Sequence, residues 1–298
     1  MLMYMTSNTS GWDGARWKSG ESRKSELCKT VDFQSDWYPK WSAEIREEPR
    51  LHRKQWEYNY ILQALYERDC LKEGRRGLGF AVGTEPLPAV MAHYGCEVVA
   101  TDLDYQTGQS LGWDSGDQLC NGVNSLNQRG ICPDDVFLKR VKFRPVDMNA
   151  IPSDLGGFDF NWSSCSFEHL GSIRLGLNFL RNQLDTLKPG GWAVHTTEFN
   201  VSSENETVAE DPNTVIFRRS DISAFVDWAK GEGHYVEPLD FSLGNQPTDF
   251  SVDLPPYRSE PHVRLLLNGY VVTSIGLIIR KGKGGRKSGW RRILPFMM

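Results

Sequence analysis

The run Gly77-Leu78-Gly79-Phe80-Ala81-Val82-Gly83-Thr84-Glu85-Pro86, followed by Val98-Val99-Ala100-Thr101-Asp102, constrains the fold more than any other part of the chain. An apolar strand enters a glycine-rich turn, a helix follows and closes at Gly95, and a second apolar strand ends on an acid. Asp102 lies about twenty residues beyond the turn, the spacing of a nucleotide-type cofactor site. Glycine lets the backbone approach a ligand, and the amide groups of a helix start favour an anion. A carboxylate at the end of the second strand can accept the hydroxyls of a ribose. A plainer role stands beside each of these: Gly79 and Gly83 permit a tight strand-to-helix turn, and Asp102 caps a helix.

From residue 75 onward, apolar runs and helical patterns alternate, the mark of a parallel sheet covered on both faces. Strands are expected near 76–80, 97–101, 141–145, 158–163, 192–197 and 235–239. The first helix starts at Thr84-Glu85-Pro86, with a hydroxyl cap and a proline in its first turn. Further helices cover 173–187, stopping at Lys188-Pro189-Gly190-Gly191, and 220–231, while 105–140 is a polar insert. Asn268-Gly269 separates two apolar runs and signals a hairpin, so the sheet ends in an antiparallel element.

The N-terminal part differs in character. Residues 1–35 read as polar loop, and 36–70 as helix, with Trp41, Ile45, Leu51, Trp56, Tyr60, Ile61 and Leu65 at roughly helical spacing. Five of the ten tryptophans precede residue 60. They form either a helical layer packed on the main domain or, in part, the lining of a substrate pocket, since flat aromatic faces suit sugars and other rings. The expected division is an N-terminal extension and helical cap over 1–70, a cofactor-binding domain over 71–280, and a basic tail over 281–298.

The dinucleotide pattern G-x-G-x-x-G/A fails here, because counting from Gly77 puts Val82 at the sixth position and counting from Gly79 puts Ala81 third and Thr84 sixth. The loop instead resembles motif one of the class I S-adenosylmethionine-dependent methyltransferases, E/D-x-G-x-G-x-G. Two departures are plain: Gly77 stands where the family has an acid, and Ala81 where it has the middle glycine. Other elements follow in the family's order across 75–200. Asp102 matches the ribose-binding acid, and Asp147-Met148 the acid and apolar residue set against the adenine. Phe158-Asp159-Phe160-Asn161-Trp162-Ser163-Ser164 resembles the fourth strand, Glu168-His169-Leu170 the triplet after it, and Leu187-Lys188-Pro189-Gly190-Gly191 the turn before strand five. The resemblance implies an α/β, Rossmann-like, seven-stranded and mostly parallel sheet with an antiparallel C-terminal hairpin. It also implies S-adenosyl-L-methionine as cofactor, held by Gly79, Ala81, Gly83, Asp102, Asp147, Met148 and Ser164.

Composition narrows the class. Net charge is −4, and the seven cations of 280–298 stand without an acid, so the rest is more acidic still. An acidic body argues against a dedicated nucleic-acid binder. The six cysteines form no C-x-x-C pair, which fits reduced thiols in a cytoplasmic protein without structural zinc. No stretch is long and apolar enough to span a membrane, and the first twenty residues have no signal-peptide core. Asp253-Leu254-Pro255-Pro256-Tyr257 is similar to the D/N-P-P-Y of adenine amino-methyltransferases, but it has an extra residue and lies far beyond strand four. It reads as a loop over the site's edge.

In an open α/β sheet the ligand lies beyond the carboxyl ends of the strands. That selects His169 after strand four and Glu198 at the end of strand five as base or acceptor-orienting groups. His262 in the late loop comes next, then His195, further back in the sheet. No metal is expected; a metal-assisted variant would use Glu198 and Asp253 to hold Mg²⁺. The expected acceptor is the oxygen of a small molecule or saccharide. The rivals are a nicotinamide-dependent oxidoreductase and a non-catalytic cofactor-binding module. The tail, with cations among Trp290, Ile293, Leu294 and Phe296, suits peripheral contact with anionic lipid or a partner subunit.

Overall fold

The chain enters its sheet earlier than the alternation after residue 75 suggests. In the computed structural model, which describes residues 22–110, 112 and 119–283, Ser25–Leu27 forms β1. The helices α1 (Thr30–Phe33), α2 (Trp37–Glu44) and α3 (Arg53–Glu67) follow. Then come β2 (Arg76–Gly79), α4 (Leu87–His93), β3 (Glu97–Asp102), α5 (Tyr105–Ser110), α6 (Asp134–Arg140), β4 (Val141–Pro145) and β5 (Phe158–Ser164). The last part holds α7 (Ile173–Asn182), β6 (Leu187–Asn200), α8 (Arg219–Gly231), β7 (Tyr235–Val236), β8 (Leu239–Asp240), β9 (Val252–Asp253), β10 (Arg264–Leu267) and β11 (Tyr270–Arg280).

Strands β4, β3, β2, β5 and β6 lie side by side and parallel, and β11 runs antiparallel along β6 from Val272 opposite Asn200 to Arg280 opposite Trp192. The far edge of β11 is shared by β10, β1 and β7 in turn. The antiparallel ending expected from Asn268-Gly269 is present, and both turn residues have positive φ (50° and 84°), as a two-residue hairpin of this kind requires. The sheet counts eleven strands among the described residues rather than seven. Of the short strands on the β11 side, β10 is the first arm of the expected hairpin, β7 and β8 divide the run expected over 235–239, and β1 and β9 are additional.

Both faces of the central strands are buried. On one, Phe160 and Trp162 of β5 pack with Trp56 and Tyr60 of α3 and Val90 of α4. On the other, Leu78 and Phe80 pack with Phe179 of α7 and Phe225 of α8. Each such ring taken fully from water contributes roughly 2–3 kcal/mol. Trp37, Trp41 and Trp56 belong to this core, so these three support the packed layer rather than a pocket lining. Trp12 and Trp17 lie outside the described residues, as do residues 284–298 of the basic tail and its proposed lipid contact.

Helix α3 sits flat on β11 because Gly276 leaves room. A Cβ at Gly276 would come within 2.1 Å of the Tyr60 ring. The start of α3 is also stitched to the late loop, where Arg53 N donates to the His262 carbonyl (3.0 Å) and His262 N to that of Leu51 (2.8 Å). No helix among the described residues is long and apolar enough to cross a membrane.

Candidate functional site

The glycine-rich turn is built from strand edges. Thr101 Oγ1 donates to the Gly79 carbonyl (2.7 Å) and Val82 N to that of Thr101 (3.0 Å), which ties the turn to β3. Ala81 (φ 48°) and Gly83 (φ 51°) both adopt the left-handed region, which bends the chain away from the sheet. For an alanine that conformation costs roughly 1–2 kcal/mol. A Cβ at Gly79 would meet the Trp162 ring at 2.4 Å, so this glycine is needed for packing as well as for the turn.

Asp102 closes the loop. Its carboxylate accepts from Gly83 N (3.0 Å), Leu103 N (2.8 Å) and Cys120 N (3.2 Å). Burial pushes its pKa up although these amides pull the other way. Asp147 lies just past β4, whose Pro145 is in register with Asp102. It is exposed and accepts from Asn149 N (2.8 Å), while Met148 beside it is buried. Gly83, Asp102 and Asp147 thus share one edge of three adjacent strands. Glu85, also buried there, accepts from Trp162 Nε1 (2.6 Å), and burial pushes its carboxyl well above the usual range.

A second cluster lies at the carboxyl ends of β5 and β6. Arg53 Nη2 donates to Glu198 Oε1 (2.5 Å), and Arg53 Nη1 lies 3.4 Å from Glu57 and donates to Ser274 Oγ (3.1 Å). Glu57 also accepts from Ser164 Oγ (3.2 Å) and Thr196 Oγ1 (3.4 Å). Half-exposed Lys54 stands at the mouth, 3.7 Å from Glu57 and 3.8 Å from Glu198. Cys165, in a left-handed conformation (φ 47°), and Glu168 complete the group. Burial alone would raise Glu198, but Arg53 and Lys54 more than offset it and hold the group below the usual carboxylate range. Glu168 has no such cation in hydrogen-bond contact, and burial raises it.

The three histidines of the sequence reading separate. His169 follows Glu168 in a short 3₁₀ turn and is half-buried, and its Nδ1 meets the carbonyl of Asn213. His195 is fully buried in the sheet beside Ser163 (2.8 Å), and burial lowers it to about 3. His262 bonds Asp253 (2.7 Å) and stacks on His52 with ring centres 4.7 Å apart. Asp253 is engaged by His262 and Arg258, and among the described residues the groups at ligand distance from Glu198 are Cys165 and Glu168 instead.

Arg53, Lys54 and Glu57 were missed by sequence reasoning. They read as ordinary polar positions of a helix, with no motif around them. Glu168 carries a signal, the Glu168-His169-Leu170 triplet, which singles out the histidine as readily as the acid.

The cofactor edge fits S-adenosylmethionine in part. A carboxylate has about four acceptor sites. The three amides on Asp102 leave one for a ribose hydroxyl, and a second hydroxyl requires displacing an amide, Cys120 N being the longest of the three. At Gly77 a Cβ would lie 2.4 Å from the Phe160 ring, so the family's acid has no room there, and the methionine amino group must be met by another residue.

The sequence matches no protein-family model and none of the curated proteins it was compared with. Solved structures do resemble it. The [4+2]-cyclase SpnF, 15% identical, aligns over 89% of this chain and 100% of its own with a TM-score of 0.52. An S-adenosylmethionine-dependent methyltransferase from Mesorhizobium loti is 13% identical over 71% of this chain and 93% of its own (TM-score 0.44). The glycopeptide N-methyltransferase MtfA is 12% identical over 69% and 88% (TM-score 0.40). The chain has a Rossmann-like α/β fold, shared with the cyclase SpnF and seen in its sheet order.

Proposed function

We propose that the chain is an S-adenosylmethionine-dependent methyltransferase that methylates an oxygen of a small-molecule or saccharide acceptor. The observation that carries this reading is a nucleoside-type edge (Gly83, Asp102, Asp147) on the same sheet as a buried polar cluster at the ends of β5 and β6. The bound cofactor would supply an electrophilic methyl group. In-line transfer then asks the chain mainly to align the acceptor and exclude water. Glu198, ionised beside Arg53, accepts a hydrogen bond from the acceptor hydroxyl and orients it. His169 takes the proton, because Nδ1–H donation to Asn213 puts the ring's lone pair on Nε2. A base so placed contributes about 10²–10⁴-fold. Asp147, Met148 and Ser164 complete the cofactor contacts in this reading. The acidic body supports a small substrate over nucleic acid, and six unpaired, buried cysteines support a cytoplasmic setting.

Calorimetric titration with S-adenosylmethionine, S-adenosylhomocysteine and NADH tests it. Micromolar binding of the first two, lost in Asp102→Ala, is expected. Binding of NADH instead overturns it. A second reading has its own support in Gly77, where the family's acid is missing: a cofactor-binding fold used for something other than methyl transfer, as the cyclase among its structural neighbours illustrates. Cofactor binding without turnover of any acceptor favours that reading.

A further inference from the structure

The geometry points to a metal site formed by Cys165, Glu168 and Glu198, suited to Zn²⁺ or a similar divalent transition ion. It shares Glu198 with the methyl-transfer reading, where a bound ion would compete with the acceptor hydroxyl for that carboxylate, but the zinc test below does not depend on that reading. The ligand atoms of the three residues all lie within 4.8 Å of one another, and all three residues are buried.

Hydrogen bonding divides each carboxylate in two. Thr197 Oγ1 donates to Glu168 Oε2 (2.9 Å) and leaves Glu168 Oε1 without a partner in a fully buried side chain. Arg53 Nη2 holds Glu198 Oε1 and leaves Glu198 Oε2 without a partner. A buried acceptor left unmade costs about 1–3 kcal/mol. One oxygen anchored by an outer donor and the other left bare is how a protein orients carboxylates toward a metal ion. Arg53 Nη1, 3.8 Å from Cys165 Sγ, would serve the thiolate in the same outer role.

Charge agrees. With all three ionised, Glu57, Glu168 and Glu198 outnumber the two cations they face, Arg53 and Lys54, by one. A divalent ion that displaces the Cys165 thiol proton to solvent and forms a metal–sulfur bond brings the group to neutrality. One thiolate with two carboxylate oxygens is a borderline set that suits Zn²⁺. Zinc lies ~2.3 Å from sulfur and ~2.0–2.2 Å from oxygen. The ligand atoms would therefore draw in by about 1 Å, a side-chain adjustment.

The test uses the full chain, stripped with chelator and dialysed against Zn²⁺. One equivalent of bound zinc is expected, lost in both Cys165→Ser and Glu168→Gln and kept in Cys132→Ser. Cobalt loading should give a thiolate-to-metal absorption band that Cys165→Ser abolishes. Failure of the wild-type chain to retain zinc overturns the site, and so does loss in only one of the two ligand variants or in neither. If a variant does not fold, the cobalt spectrum of the wild-type chain decides: without a thiolate band there is no such site.

Discussion

Arg53 Nη2 donates to Glu198 Oε1 at 2.5 Å across 145 residues of sequence, joining the first turn of α3 to the end of β6. Both side chains are almost fully withdrawn from water. The contact makes the N-terminal helix part of the candidate site's wall, and it sets the ionisation of Glu198.

Removing one member of a buried pair leaves the other charge uncompensated, at a cost of about 3–5 kcal/mol. Arg53→Ala should therefore lose stability on that scale in urea unfolding. The double variant Arg53→Ala/Glu198→Gln should lose less than the sum of the single changes. Additive losses would show that the pair is not coupled.

Asp102 holds three backbone amides of the cofactor edge. Asp102→Ala leaves them without an acceptor, at about 1–3 kcal/mol for each that stays buried. A lower thermal midpoint is expected together with loss of S-adenosylmethionine binding. Asp102→Asn, which keeps one acceptor oxygen, should recover part of the stability. Unchanged stability in the alanine variant would mean that the loop does not lean on Asp102.

His52 stacks on His262, and its ring nitrogen accepts from Lys54 N at the start of α3 (3.2 Å). Burial, helped by His262, lowers its pKa to about 4 from the ordinary 6.5. The unfolded chain thus takes up the proton first on acidification. Stability contributed by neutral His52 is full above about pH 6.5 and is lost as pH falls toward 4. Partial exposure of the ring keeps the effect on the order of 1 kcal/mol. In His52→Gln, the difference in urea midpoint across that window should shrink.

Gly276 lets Tyr60 lie against β11. Gly276→Ala forces the ring or the helix to move, an overpacking cost of about 1–3 kcal/mol. Tyr60→Ala in the same chain should relieve much of that clash, which a double-mutant cycle of thermal stability measures.

Much of the sheet was legible because its signals are local. The strand Val141–Pro145 and the Asn268-Gly269 turn occur as expected, one from the alternation of Val141 and Phe143 with Lys142 and Arg144 and the other from residues that accept positive φ. Boundaries moved where a neighbour mattered. The strand expected over 192–197 runs Leu187–Asn200, because β5 and β11 pair along it on either side. The helix expected to 187 ends at Asn182 and tightens into a 3₁₀ turn over Gln183–Thr186.

By itself the sequence determined the alternating sheet and the loop-to-acid spacing that brings Gly83 to Asp102, since both depend on neighbours within about twenty residues. Only the tertiary structure decided that β1 extends the sheet beside β11, that Phe160 fills the place of an acid at Gly77, and that Arg53, Glu57, Cys165, Glu168 and Glu198 form one buried cluster. The physical reason is that these arrangements depend on desolvation and charge compensation between distant segments. A carboxylate looks the same in sequence whether its partner is water or an arginine 145 residues away.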